Sequence, residues 1–215
     1  MSRRRRSFLN AETYSLKLSR SQLKTQLWLG VIGELFIFII LKLAAPCLYS
    51  WAGMWANWIC SLSLGLVPLL ILLESKAHIQ LVLPGKLGRQ VLTGFVLGCV
   101  MGISLNFIGP KTGYSSGGEA AYRLVYYLIA VGLTEEFVYR GFFYERLKEI
   151  CLSDWAPALV SSGLFALGHL FVGKFGIGQF VIGLFFCWCR EKLPHCSLLS
   201  LIIAHGLHDW LIRFL

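Results

Sequence analysis

The sequence has little charge and no room for a soluble domain. Only 14% of its 215 residues are Asp, Glu, Lys or Arg, whereas 56% are hydrophobic and the mean hydropathy is +0.67. A soluble domain carries about 25% charged and about 45–50% apolar residues. The segments between the apolar stretches are too short to fold separately. These shortages exclude an ordinary soluble enzyme and indicate a membrane protein.

Several common signatures are also missing. There is no H-E-x-x-H zinc-protease motif. The seven cysteines are odd in number and lie mostly in apolar stretches, so they do not describe a disulfide framework. No internal repeat, which transporters often carry, stands out. The net charge of +9 does not indicate a nucleic-acid partner, because the basic residues are distributed as membrane topology predicts.

Apolar windows of about 20 residues, the length of a membrane-crossing helix, recur along the chain. We predict an all-α, polytopic transmembrane helix bundle, with a basic segment over 1–26 and a single transmembrane helical domain over 27–215. The Lys and Arg bias, including the run at 3–6, predicts a cytoplasmic N-terminus. Short loops favour a prokaryotic plasma membrane, with the endoplasmic reticulum as the alternative. About seven spans are expected, at 27–46, 55–74, 89–108, 123–145, 156–173, 175–190 and 196–214.

The first three spans carry few polar residues. In the third, Gly94, Gly98 and Gly102 recur at four-residue spacing, which predicts close packing against another helix. The first contains Glu34 and Lys42, eight residues apart and hence roughly on one helical face. An intramembrane charge is a functional candidate. The simpler interpretation is a pair that faces the bundle interior, or a Lys42 that extends outward.

The stretch "LTEEFVYRGFFYERL" at 133–147 places Glu135, Glu136 and Arg140 inside the fourth span. Three such charges cost about 8–10 kcal/mol on the insertion scale, whereas the Leu, Ile, Phe and Val residues of this span return about 3–6 kcal/mol. The charges must therefore be paired, protonated or directed at a polar cavity. Glu136 and Arg140 have the i, i+4 spacing of an ion pair. Glu135 points about 100° away and stays free.

Two later spans add polar residues at a similar depth. The fifth carries "FALGHL" with His169, and the seventh carries "HGLHDW" with His205 and Asp209 at i, i+4. Each of Glu135, His169 and His205 falls near the middle of its span, so the three can meet close to the bilayer midplane. A lone histidine is usually a packing residue, but three converging polar helices predict a functional site.

These residue types suit the hydrolysis of a peptide bond. A carboxylate beside an imidazole can hold a water molecule and remove its proton. A second imidazole can donate to the oxyanion that forms when the water attacks a carbonyl group. Asp209 can orient the ring of His205 and favour its protonated form. The same Glu, His, His and Asp residues could also bind Zn²⁺ with a water molecule.

The ordered combination of "EEFVYRG", "FALGH" and "HGLHD" resembles the E-E-x-x-x-R-G, F-x-x-x-H and H-x-x-x-(N/D) motifs of the CPBP intramembrane proteases, of the CAAX prenyl protease and bacteriocin-processing type. The resemblance covers about residues 123–214, the expected catalytic core. It implies that Glu135 and His169 activate the water, that His205 and Asp209 stabilise the oxyanion or position the water, and that Glu136 and Arg140 support the site. We favour its metal-free, glutamate-type form, which requires no cofactor.

The resemblance leaves the substrate open. Prenyl-processing members resemble one another in having Asn where this chain has Asp209, and an ionised Asp can only accept a hydrogen bond. A leader peptide or a C-terminal sorting anchor is therefore at least as good a substrate as a CAAX-like tail. The leading hypothesis is an intramembrane endopeptidase that acts on a membrane protein or peptide in the bilayer. The alternatives are a non-catalytic scaffold or bacteriocin-immunity protein, a proton-coupled transporter and a serine protease that uses Ser162.

Overall fold

The computed structural model describes residues 18–106, 116–153, 155–171 and 176–214. Within these ranges every regular element is a helix and there is no strand, which confirms the predicted all-α class. Most of the predicted basic segment lies outside the described residues. So do the end of the third predicted span, the end of the fifth and the beginning of the sixth.

The helices follow the predicted spans but extend beyond several of them. The first helix, Arg20–Ala52, extends well past the predicted first span at both ends. Within the second predicted span, Gly65 alone separates the helices Trp55–Leu64 and Leu66–Ser75. Two π-helices, Tyr126–Leu133 and Phe137–Phe143, interrupt the fourth predicted span. The elements in chain order are α1 Arg20–Ala52, α2 Trp55–Leu64, α3 Leu66–Ser75, α4 Leu87–Asn106, α5 Gly117–Val125, π1 Tyr126–Leu133, α6 Thr134–Glu136, π2 Phe137–Phe143, α7 Tyr144–Ile150, α8 Ala156–Phe171, α9 Gly176–Lys192 and α10 Leu198–Phe214.

The protein is a membrane protein with helices that suit a bilayer. Among the described residues, three helical stretches are long and apolar enough to cross a membrane: Arg20–Ala52, Trp55–Ser75 and Leu87–Leu105. The apolar helix Ala156–Leu170 is shorter. Large apolar side chains on the outside of these helices are exposed, as expected where lipid replaces water. The total of seven spans and the N-terminal orientation stay predictions.

The motif "EEFVYRG" lies in an uninterrupted helical run from α5 to α7 that contains both π-helices. A π-helix shifts the backbone bonding pattern and leaves carbonyl groups that need other partners. Two side chains supply them: Ser161 Oγ donates to Tyr139 O at 2.6 Å, and Arg190 Nη1 donates to Arg140 O at 2.6 Å. Helices α8 and α9 therefore hold the widened turn that carries the motif.

The glycines of α4 pack directly against α10, which confirms the predicted close contact. A Cβ atom at Gly94 would lie 2.5 Å from Ser200 O, and one at Gly98 would lie 2.7 Å from Leu207 Cβ. A Cβ atom at Gly102 would lie 2.6 Å from Leu211 Cβ. Only glycine permits this approach, so α4 fixes the position of the helix that carries His205 and Asp209.

Helix α1 packs against the C-terminal part of the helical run from α5 to α7 that carries the motif. A Cβ atom at Gly30 would lie 2.7 Å from the Phe142 ring, and Gln26 Oε1 accepts a hydrogen bond of 3.1 Å from Arg146 Nε. The two charged residues of α1 do not form a pair. Glu34 is 5% exposed, whereas Lys42 is exposed, and no ion pair joins them. The interior pair is therefore not observed, and Lys42 lines the cavity described below.

Candidate active site

Glu136 and Arg140 form the ion pair that their spacing predicted. Arg140 Nη1 lies 3.0 Å from Glu136 Oε1, and both side chains are 0% exposed. Burial of two charges is costly unless each has a close opposite charge. The guanidinium also lies over two aromatic rings, 4.5 Å from the centroid of Phe165 and 5.4 Å from that of Phe186. These cation–π contacts add to the stabilisation of the buried charge.

Glu136 has a second contact that the sequence did not predict. His205 Nδ1 lies 2.7 Å from Glu136 Oε1, the oxygen that also accepts from Arg140. A carboxylate oxygen can only accept, so Nδ1 carries a proton and donates it. The i, i+4 spacing predicted that Asp209 orients this ring. In the structure the closest contact with the ring is made by Glu136, because the π-helical turns bring it to face α10.

The other nitrogen of His205 faces two further carboxylates. Nε2 lies 3.6 Å from Glu135 Oε2 and 3.9 Å from Asp209 Oδ2. With Glu136 on the opposite edge, three acidic groups surround the buried ring, and His205 itself is 4% exposed. Nearby negative charge favours the imidazolium form. Glu135 and Asp209 therefore flank the point at which Nε2 can donate.

His169 is held by a backbone carbonyl group, whereas His205 is surrounded by carboxylates. Its Nδ1 lies 3.0 Å from the backbone carbonyl oxygen of Phe165, one turn earlier in α8. Because a carbonyl oxygen only accepts, Nδ1 carries a proton and donates it, which leaves a lone pair on Nε2 whenever the ring carries a single proton. The Phe165 ring also contacts His169 edge-on, with the centroids 4.6 Å apart. The ring is thereby fixed as a hydrogen-bond acceptor.

Glu135, His169 and Asp209 line one cavity of about 720 Å³. Helices α1 and α2 form one wall of the cavity. The helical run from α5 to π2 forms the other wall together with α8 and α10. Both apolar and charged side chains line it, which suits a peptide rather than an ion alone. Ser162, the alternative nucleophile, is fully buried beside Gly183 and Arg140 and does not line this cavity.

The residue types at the site are also those that could bind Zn²⁺. Within the described ranges, no three His, Cys, Asp or Glu side chains come together in an arrangement that could hold a metal ion. A catalytic zinc site needs about three such ligands. His205 Nδ1 is already engaged by Glu136. The donor set does not fit a metal centre.

Sequence reasoning missed several residues that shape the site. Arg190 holds the carbonyl of Arg140 and also pairs with Glu145, with Nη2 2.8 Å from Oε1. Ser161 holds the carbonyl of Tyr139, and no pattern in the sequence signals either contact. Tyr139 itself lines the cavity. Its position one helical turn after Glu135 was a signal that could have identified it.

A comparison with known families adds to this geometry. Residues 117–211 match the sequence model of a family described as "Type II CAAX prenyl endopeptidase Rce1-like". The match is a little under half of the chain, contains all three motifs and leaves α1 to α4 outside it. No curated protein and no solved structure matches the chain significantly.

The family is one of proteases, and the apolar helices described above indicate a membrane environment for this chain. At this level the protein is a membrane protease with a protein or peptide substrate. Residues 117–211 thus match the Rce1-like family of type II CAAX endopeptidases, in agreement with the resemblance of the three motifs to the CPBP proteases.

Proposed function

We propose that the protein is an intramembrane endopeptidase that hydrolyses a peptide bond of a membrane-embedded or membrane-associated substrate with an activated water molecule. The observation that carries the proposal is the shared cavity. Glu135, His169 and Asp209 line it together, and His205, which is not itself a lining residue, has its Nε2 3.6 Å from Glu135 Oε2. A free carboxylate, a neutral imidazole and a charged imidazole are the groups that water-mediated hydrolysis requires.

Glu135 and His169 would activate the water. The water donates one hydrogen bond to the Glu135 carboxylate and another to Nε2 of His169, which has the free lone pair. As the water oxygen attacks the carbonyl carbon, Glu135 takes its proton. When the carbon–nitrogen bond breaks, the same acid returns the proton to the leaving amine. No covalent enzyme intermediate is formed, and the products are a carboxylate and an amine.

His205 would stabilise the charge that develops on the carbonyl oxygen. Glu136 holds its Nδ1, so the ring can present the Nε2 proton without reorganisation. Preorganised donors of this kind act strongly in a water-poor site. Asp209 would favour the imidazolium form and help to position the water. In this scheme Glu136 and Arg140 are positioning residues, because they act through His205.

We further propose the finer features that accompany this activity. The chain would have seven spans and a cytoplasmic N-terminus, with 1–26 as a basic segment and 27–215 as one transmembrane domain whose catalytic core is about 123–214. The substrate would be a C-terminal sorting anchor, a leader or a CAAX-like tail. The membrane would be a prokaryotic plasma membrane. The mechanism would be of the glutamate type and would require no metal.

The test is cleavage of candidate membrane peptides by protein purified in detergent. We expect Glu135→Ala and His169→Ala to abolish cleavage while the thermal unfolding midpoint is retained. Glu74→Ala, which removes an exposed carboxylate of α3, is the control and should cleave as the wild type does. Full activity of Glu135→Ala would overturn the proposal. A folded wild type that cleaves none of the peptides would favour a scaffold role instead.

The same preparation tests the metal-free mechanism. Cleavage should be unchanged after treatment with a strong chelator, because no metal-holding group of side chains is found among the described residues. Loss of activity that Zn²⁺ restores would contradict the glutamate-type mechanism but not the assignment as a protease.

A further inference from the structure

We propose that Tyr139 is a further catalytic residue, whose hydroxyl group donates a hydrogen bond to the carbonyl oxygen of the scissile bond as negative charge develops there. This inference rests on the proposed function and deepens it. Tyr139 lies within the motif "EEFVYRG", but neither the sequence motifs nor the ion pair of Glu136 and Arg140 give it a role.

Tyr139 shares a helix face and a cavity with the candidate base. It follows Glu135 by four residues, slightly less than one turn of the π-helical segment that contains it, so the two side chains lie on nearly the same face of the helix. Both line the cavity that also contains His169 and Asp209. Tyr139 is 4% exposed, so its hydroxyl lies in an environment where a hydrogen bond to a developing charge is strong.

The tyrosine ring and backbone are held in place. The ring contacts Phe165 edge-on, with centroids 5.1 Å apart, and stacks on Phe143 at 6.2 Å. Ser161 Oγ binds the backbone carbonyl of Tyr139 at 2.6 Å. Phe165 also contacts the ring of His169 and, at 6.0 Å, that of His205. One aromatic side chain therefore touches the tyrosine and both candidate histidines, which keeps their relative positions fixed.

The hydroxyl group of Tyr139 lies next to the residue that precedes His169. A Cβ atom at Gly168 would lie 2.8 Å from the Tyr139 hydroxyl oxygen and 3.1 Å from the Phe38 ring. The absence of a side chain at Gly168 thus leaves space for the hydroxyl. No hydrogen bond joins this hydroxyl to another described side chain, so it is free to donate to a substrate.

The candidate site residues offer few hydrogen-bond donors to an oxyanion. Glu135 and Asp209, when ionised, only accept, and His169 uses its one N–H on the carbonyl of Phe165. His205 Nε2 is the remaining donor of the candidate residues. An oxyanion is best stabilised by more than one preorganised donor. A neutral tyrosine hydroxyl supplies the second without adding a charge to the cavity.

Lys42 also lines the cavity from α1, and several further polar side chains on its wall already have a protein contact. The structure pairs Tyr49 with Asn57 at 2.6 Å, Tyr126 with Ser61 at 3.0 Å, Arg123 with Glu119 at 3.7 Å, and Arg213 with the Tyr127 ring at 5.4 Å. Tyr144 offers a matched comparison for Tyr139: it is a buried tyrosine that does not line the cavity, and its hydroxyl group donates to Glu191 Oε1 at 3.1 Å.

The first experiment compares Tyr139→Phe with Tyr144→Phe in the peptide-cleavage assay. Because the donor acts on charge present only in the transition state, Tyr139→Phe should lower kcat about 100-fold, as the loss of one oxyanion donor does, and leave KM within about 3-fold. Tyr144→Phe should keep both constants within about 3-fold. The inference is overturned if Tyr139→Phe retains its kcat, or if only KM changes.

A second variant covers the case in which Tyr139→Phe destabilises the protein. Gly168→Ala keeps the tyrosine but displaces its hydroxyl, and should also lower kcat. In the Tyr139→Phe background, Gly168→Ala should lower kcat far less, because there is no hydroxyl group left to displace. Equal losses in both backgrounds would overturn the inference. A folded wild type without any cleavage would instead defeat the proposed function, so the two failures are distinguishable.

Discussion

The carboxylate of Glu136 and the imidazole of His205 are joined by a 2.7 Å hydrogen bond, although the two residues are 69 positions apart in the sequence. The same oxygen of Glu136 accepts from Arg140 at 3.0 Å. One fully buried acid thus links the ion pair of the motif helix to the histidine of α10. Any change at Glu136 should act on the fold and on the orientation of His205 together.

Substitution of the two adjacent glutamates by glutamine should separate these roles. Glu136→Gln leaves Arg140 without its charge partner, and breaking a buried pair costs about 3–5 kcal/mol. Glu135→Gln removes a charge that has no ion pair with an arginine or lysine, so stability should change by less than about 1 kcal/mol while cleavage is lost. Thermal unfolding in detergent, run beside the cleavage assay, measures both effects. Equal unfolding midpoints for the two variants would contradict the assignment.

Replacement of Arg140 by lysine should be harmful although the charge is kept. The guanidinium lies over Phe165 and Phe186 and bonds Glu136, and an ammonium group cannot reproduce this planar stacking. We expect a loss of stability of about 2–3 kcal/mol and reduced cleavage. Arg123→Lys is the control, because its pair with Glu119 is partly exposed and worth at most about 1 kcal/mol. A stable, fully active Arg140→Lys protein would refute the stacking argument.

Gly183 provides a test of the packing around Arg140. A Cβ atom there would lie 2.9 Å from Ser162 Oγ and 3.2 Å from Arg140 Nη2. Gly183→Ala should therefore displace the guanidinium and destabilise the protein by about 1–3 kcal/mol. Gly178, on the same helix, has no atom within 4 Å of such a Cβ, so Gly178→Ala should be neutral or slightly stabilising. Matching unfolding curves for the two alanine variants would count against this role.

The sequence was informative where chemistry and spacing are local. The shortage of charge identified the membrane class, and the i, i+4 spacing of Glu136 and Arg140 identified their ion pair. The glycine spacing of α4 identified a tight helix contact. These features depend on helical periodicity within one element, which the order of residues contains directly.

Relationships between helices were not accessible in this way. The bond from Glu136 to His205 depends on how π1 and π2 rotate the motif helix, and a fixed angle of about 100° per residue cannot describe a π-helix. The contact of Arg190 with the carbonyl of Arg140 depends on the same widened turn. The sequence therefore indicated which helices converge, but not which carboxylate would orient His205.

The contact between α4 and α10 leads to a prediction about a residue outside the matched family region. A Cβ atom at Gly98 would lie 2.7 Å from Leu207 Cβ and 2.9 Å from Ala204 O, and Ala204 precedes His205. Because backbone atoms cannot yield as a flexible side chain can, Gly98→Ala should push α10 away from α4. We expect a loss of about 1–3 kcal/mol in stability.

The displacement should also impair cleavage, because α10 carries both His205 and Asp209. Gly88→Ala is the matched control, since a Cβ there meets no atom within 4 Å although it lies on the same helix. Cleavage and thermal unfolding of the two variants, measured at a temperature where both are folded, distinguish a shifted helix from an unfolded protein. If Gly98→Ala cleaves as well as Gly88→Ala, then α4 does not set the position of His205. If it cleaves poorly while folded, a helix outside the matched region controls the geometry of the candidate active site.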